Sequence, residues 1–305
     1  MLTFRITDND GHTVLMEHPM SVSISSSESA PADSLRAVFA VEGDVPELCR
    51  IEVFDEDETV FSGAVDSQAE EYGLSGHFLT VYARSRAAIL LDNEAKPQTY
   101  RCPSMRLLMK RHFEPLGFDR FSGSDKVFSG ELTVTKGMSE WAVLKKFAVL
   151  FLNTEPRIDR TGAIDVSGCD GDAEILLPSE SLISFRRELK NSALVSEIRA
   201  RTRPERGYDM LFASDRAKRS GVCRRRYIST ADNRSGSITG IRRILEKSDA
   251  AYERVIAECR GRVRCRVRDT LLTDRSSRSY RVTEVNYISD SRGERTKIFA
   301  EVKST

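Results

Sequence analysis

The stretch Leu48-Cys-Arg-Ile-Glu-Val-Phe54, Asp55-Glu-Asp-Glu58, Thr59-Val-Phe-Ser-Gly-Ala-Val65 decides the fold class. Its two arms alternate apolar with polar side chains, which suits strands with one buried face, and four adjacent acids mark a solvated turn between them. The stretch therefore predicts an antiparallel hairpin. Working outward, Gly76-His-Phe-Leu-Thr-Val-Tyr-Ala83 reads as another strand, while the small polar run between Val22 and Pro31 reads as a loop or irregular edge. The whole of residues 1–95 suits an antiparallel barrel or sandwich, expected as a first β-barrel-like domain.

Residues 96–175 change character to a helix-rich middle domain. Met105, Leu108, Met109, Phe113 and Leu116 recur at helical spacing after Ser104, and Gly117 stands at the C-terminal cap position. His112, flanked by Lys110, Arg111 and Glu114, reads as a surface or boundary residue. A second helix starts near Ser139 and presents Trp141, Leu144, Phe147, Ala148 and Phe151 on one face. The segments flanking Arg160-Thr-Gly162 form a hairpin.

In residues 176–305 strands return, at Leu182 to Leu189, Ala193 to Thr202 and Val222 to Ser229. A long helix is expected where Ile238, Ile241, Ile244, Leu245, Tyr252, Val255, Ile256 and Cys259 keep helical phase. Ser279 to Ile288 and Glu294 to Val302 close the chain as strands around the turn Asp290-Ser-Arg-Gly293. The predicted class is α+β: two antiparallel β-barrel-like domains separated by a small helix-containing domain, the second carrying an inserted helix.

The formal charge of the 305 residues is +1, which hides a polarity. Residues 1–180 hold 17 basic and 30 acidic side chains, whereas residues 181–305 hold 30 basic and 16 acidic ones. Such halves attract, within a chain or between copies. The longest apolar candidate, Trp141 to Leu152, is interrupted by Lys145 and Lys146, and Met1 to His12 carries Arg5, Asp8 and Asp10, so neither a membrane span nor a signal peptide is expected. The chain is expected to be made in a cytoplasm. Its six cysteines, with no C-x-x-C, read as reduced thiols.

Catalytic motifs are missing from the sequence: no G-x-S-x-G, H-E-x-x-H, P-loop or G-x-G-x-x-G occurs, and only four histidines are present. The cluster Asp55 to Glu58 should stay solvated and ionised, unsuited to general acid catalysis. Asp8-Asn-Asp10-Gly11 and Asp170-Gly-Asp172 lack a calcium-loop pattern and read as turns. No catalytic residue, cofactor or metal is expected. The most unusual feature is Arg262-Val-Arg-Cys-Arg-Val-Arg268. As a strand it would set four guanidinium groups at about 7 Å spacing on one face, where they must meet water, carboxylates or phosphates. Phosphate contact would make the basic half a nucleic-acid binder, but no recognition motif supports this. Pairing with the acidic half is the better explanation.

Val81-Tyr-Ala-Arg-Ser-Arg-Ala-Ala-Ile-Leu-Leu-Asp-Asn-Glu-Ala95 resembles the first-domain exit of the central hub proteins of contractile phage tails, of the Mu-like and defective-prophage kind. Pro97 to Tyr100, Phe113-Glu-Pro-Leu-Gly-Phe118, Met138-Ser-Glu-Trp141 through Phe151, and Arg157-Ile-Asp-Arg-Thr-Gly-Ala-Ile-Asp-Val166 follow in the same order. The resemblance covers about residues 1–170; beyond them only the layout agrees. It implies a non-enzymatic homotrimer whose barrel-like domains alternate around a ring joining the tail tube to the central spike, within a baseplate assembled in the bacterial host. Arg262, Arg264, Arg266 and Arg268 would then lie at a subunit interface or the lumen.

Overall fold

The computed structural model describes residues 2–169, 171, 173–201, 205, 207–229 and 238–303; the expectations placed on Asp170, Asp172 and Thr202 lie outside them. The chain begins with β1 (Leu2–Asp8), β2 (Thr13–Met16), β3 (Ser21–Ser27), β4 (Ser34–Ala40), β5 (Leu48–Asp55), β6 (Glu58–Gly73) and β7 (Gly76–Ser85). Leu2, Phe4 and Ile6 on β1, Ile51 and Val53 on β5, and Leu79, Val81 and Ala83 on β7 alternate inward, so the period-2 pattern fills one core. β5 and β6 form the expected hairpin around the acidic turn.

β3 corrects the reading of residues 22–31 as irregular. It lies inside the sheet between β4 and the strand Ser276–Asp290, because Val22, Ile24 and Ser26 are buried in alternation and small serines fill the positions between them.

The middle of the chain contains α1 (Ala88–Asp92), β8 (Gln98–Arg101), α2 (Met105–Leu108), β9 (Phe121–Ser122), β10 (Glu131–Val134), α3 (Glu140–Phe147), β11 (Arg157–Ile158) and β12 (Ile164–Asp165). Ser104 caps α2 by accepting from Leu107 N–H, and Ser139 caps α3 by accepting from Ala142 N–H, each at 3.2 Å. Both helices continue as a wider π-type turn, the first ending at left-handed Gly117 (φ 84°) and the second at Asn153 (φ 54°). Met105, Leu108, Phe113, Leu144 and Phe147 pack a core in which His112 is also buried, contrary to the surface placement read from its charged neighbours. Its position on the apolar face decides: Nε2 reaches Tyr100 Oη at 2.8 Å and Nδ1 lies 2.7 Å from Glu140 Oε2.

The remainder contains β13 (Glu174–Leu177), β14 (Leu182–Leu189), β15 (Glu197–Arg201), β16 (Met210–Ala213), α4 (Asp215–Arg219), β17 (Arg225–Ser229), α5 (Ile238–Ala250), β18 (Glu253–Arg260), β19 (Thr270–Thr273), β20 (Ser276–Asp290) and β21 (Gly293–Val302). The expected helix stops at Ala250. Beyond it Glu253, Val255, Ala257 and Cys259 are buried in strict alternation, and β18 gains ladders to β14 and β21 on both sides, which outweigh the helical phase.

Among the described residues no closed barrel forms, so the expected pair of barrels is not what the pairing describes. One sheet runs β14-β18-β21-β20-β3-β4-β7-β6-β5-β1-β2 and joins both β regions, mostly antiparallel, with few helices. The joint is β20 against β3, with Tyr287 opposite Ile24. No helix among the described residues is long and apolar enough to cross a membrane.

Candidate functional site

Residues 262–268 do not form a ladder strand, although they keep the predicted alternation up to Val267: Cys265 and Val267 are buried while Arg264 and Arg266 are exposed. At Arg268 the backbone turns left-handed (φ 80°), which takes that side chain off the shared face and inside. The arginine segment thus crosses the acidic tip of the β5–β6 hairpin, 207 residues away in sequence. Arg262 pairs with Asp55 and lies 3.7 Å from Glu58; Arg264 donates to Glu56 at 2.8 Å; Arg266 donates to Glu58 at 2.8 Å. The Arg264 hydrogen bond holds the Glu56 carboxyl below the usual range. The Arg264 and Arg266 pairs stand in solvent and contribute little, whereas Arg262 and Asp55, with side chains 12% and 14% exposed, form the enclosed contact of the tip.

Arg268 is different. With its side chain 6% exposed, it places Nη1 3.2 Å from Asp165 Oδ2, donates Nη2 to the Glu155 carbonyl at 2.7 Å and sets Nε 3.7 Å from Glu28 Oε1. One guanidinium therefore joins the segment after β3, the β11–β12 hairpin and the arginine run. Glu28, Asp165, Arg157 and Arg160 belong to this junction but escaped the sequence reading, because Arg157 and Arg160 looked like ordinary hairpin residues. Arg160 reaches Glu58 at 3.3 Å, and burial pulls the pKa of both arginines down.

Burial acts to raise the Glu28 and Asp165 carboxyls, but both end below their ordinary values. Glu28 is held down by the hydrogen bond and charge of Arg281, Asp165 by Ser167, Ser122 and the Arg268 charge. A depressed folded pKa contributes stability above the unfolded value that is lost as pH falls through the folded one. Asp269, pushed up by burial, has the opposite sign and loses its contribution as pH rises through its folded value. The urea midpoint is expected to fall steeply below the ordinary Glu value of 4.5, and a midpoint unchanged there would contradict this junction.

The Asp8 carboxylate accepts from the N–H groups of Asp10 and His12 at 3.0 and 2.8 Å, as a turn requires. Burial pushes the Cys265 thiol up to about 12 and the Cys259 thiol to about 11, so both stay protonated and unreactive near neutral pH.

No protein-family model matches the sequence, and no curated protein matches it. Solved structures do match. The 43 kDa tail protein of prophage MuSo2 from Shewanella oneidensis is similar at TM-score 0.80 and 12% identity, covering 98% of each chain. The tail protein from Neisseria meningitidis MC58 is similar at TM-score 0.78 and 14% identity, covering 98% of this chain and 95% of that one. The E. coli c3393 protein, a type VI secretion component described as similar to the T4 bacteriophage tail proteins gp27 and gp5, reaches TM-score 0.63 at 9% identity, covering all of this chain and 77% of its own. The chain has a phage-tail-protein fold.

Proposed function

We propose that this chain is a structural hub of a contractile phage tail or a phage-tail-like particle, a homotrimeric ring that joins the tail tube to the central spike. The observation that carries the reading is the fold match to two tail proteins over nearly the full length of both partners. The resemblance of residues 81–166 to hub segments supports it independently of the coordinates.

In this reading residues 1–95 and 176–305 are the two β domains, joined through one sheet, and residues 96–175 the helix-rich domain between them. Separate hydrophobic cores around Phe4, Phe113 and Tyr280 support that division. Ring closure needs unlike surfaces on the two sides of a subunit, which the acidic and basic halves supply. Arg264 and Arg266, with side chains 55% and 59% exposed, remain available to an adjacent subunit or the lumen, whereas Arg262 and Arg268 are largely spent inside the chain. Its partners are then copies of itself, the tube protein, the spike and other baseplate proteins, assembled in the bacterial host. The role is scaffolding and force transmission without catalysis. Electron microscopy of the purified protein is expected to show rings with a central opening; isolated elongated particles would count against the proposal.

A further inference from the structure

A cavity of about 590 Å³ opens beside the arginine segment, between it and the β11–β12 hairpin. Six arginines line it against four carboxylates, and most of those carboxylates are already committed. Asp159 Oδ1 accepts from Thr161 N–H, Thr161 Oγ1 and Ala163 N–H, holding its own turn. Asp165 serves Ser122, Ser167 and Arg268, and Asp269 accepts from the backbone N–H of Arg266. Glu58 alone faces three guanidinium groups, those of Arg160, Arg262 and Arg266.

Two cationic side chains lining the cavity hold unspent capacity. Among the described residues Arg157 has no carboxylate in ion-pair range, and its Nη1 donates to the Val267 carbonyl at 2.9 Å. Arg268 Nε is buried and makes no hydrogen bond. Buried donors without acceptors are costly, and burial disfavours the charged form of Arg157, which has no carboxylate in ion-pair range, and of Arg160, which shares Glu58 with Arg262 and Arg266. A guanidinium fork is satisfied best by two oxygens on one centre.

We propose that this cavity is an oxyanion site that takes a compact phosphoryl or carboxylate group, with Arg157 and Arg160 as its principal ligands. The site does not depend on the hub reading and stands or falls separately from assembly.

The test is calorimetric titration of the full chain at constant ionic strength, with inorganic phosphate, pyrophosphate, acetate and citrate as probes and chloride as the control. Saturable binding with a Kd on the order of 1 mM or tighter is expected, weakened about tenfold or more in Arg157→Gln and in Arg160→Gln. If one variant melts at a lower temperature without anion, the other carries the comparison. Preference for phosphate or pyrophosphate assigns a phosphoryl ligand, and preference for acetate or citrate assigns a carboxylate. No saturable binding of any probe, or binding unchanged in the variants, overturns the site.

Discussion

Arg268→Met is expected to lower the free energy of unfolding by about 3 kcal/mol or more, several times the cost of Arg264→Met or Arg266→Met. The difference follows from burial. Arg268 is enclosed among Glu28, Asp165 and the Glu155 carbonyl, so removing its charge leaves two half-buried carboxylates without their shared cation. Glu28 keeps Arg281 and Asp165 keeps the hydroxyls of Ser122 and Ser167, which places the cost toward the lower end of the buried-pair range. Arg264 and Arg266 release their partners into solvent, where an exposed pair contributes little. Urea unfolding of the three variants at neutral pH checks the ordering; equal losses would mean that Arg268 does not bind the three segments together.

Tyr287→Ala carries the second large effect, about 3–5 kcal/mol for the loss of a buried aromatic ring. Tyr287 belongs to β20, yet its side chain is part of the N-terminal core that contains Phe4, Ile24 and Phe39, and it is 5% exposed. Burial pushes its phenol up to about 12, as expected for a ring largely withdrawn from water. The substitution should loosen the joint where the two β regions become one sheet. Tyr72→Ala is the control, because Tyr72 is 67% exposed on the distal part of the β6–β7 hairpin and should change stability far less. Calorimetry that finds the two variants equally stable would contradict the shared core.

Much of this was legible locally. The β5–β6 hairpin, the serine caps of α2 and α3 and the Gly117 stop depend on neighbours in sequence, and the structure places them where period and cap chemistry put them. The attraction between the acidic half and the arginine run was legible as well, but charge carries sign without address, and the Asp55 to Glu58 tip read as solvated. Sequence alone could not say that Asp55 and Glu58 of the same chain would take those arginines. What escaped depends on distant partners. β3 reads as irregular until β20 pairs with it, and residues 253–260 hold a helical phase that loses to ladders with β14 and β21. His112 shows a different failure: its place on the apolar face of α2 and the following turn was readable from Met105, Leu108 and Met109, and its charged neighbours misled. The left-handed turn at Arg268, which removes one arginine from an otherwise regular row, has no local sequence signal.

The measurement closest to the central claim is the mass of the native protein in solution, by light scattering across a range of salt and protein concentrations. A chain of 34.3 kDa that closes a ring of three gives about 100 kDa, with the assembly weakening as salt screens the contact between acidic and basic halves. A mass of one chain under every condition would contradict the hub.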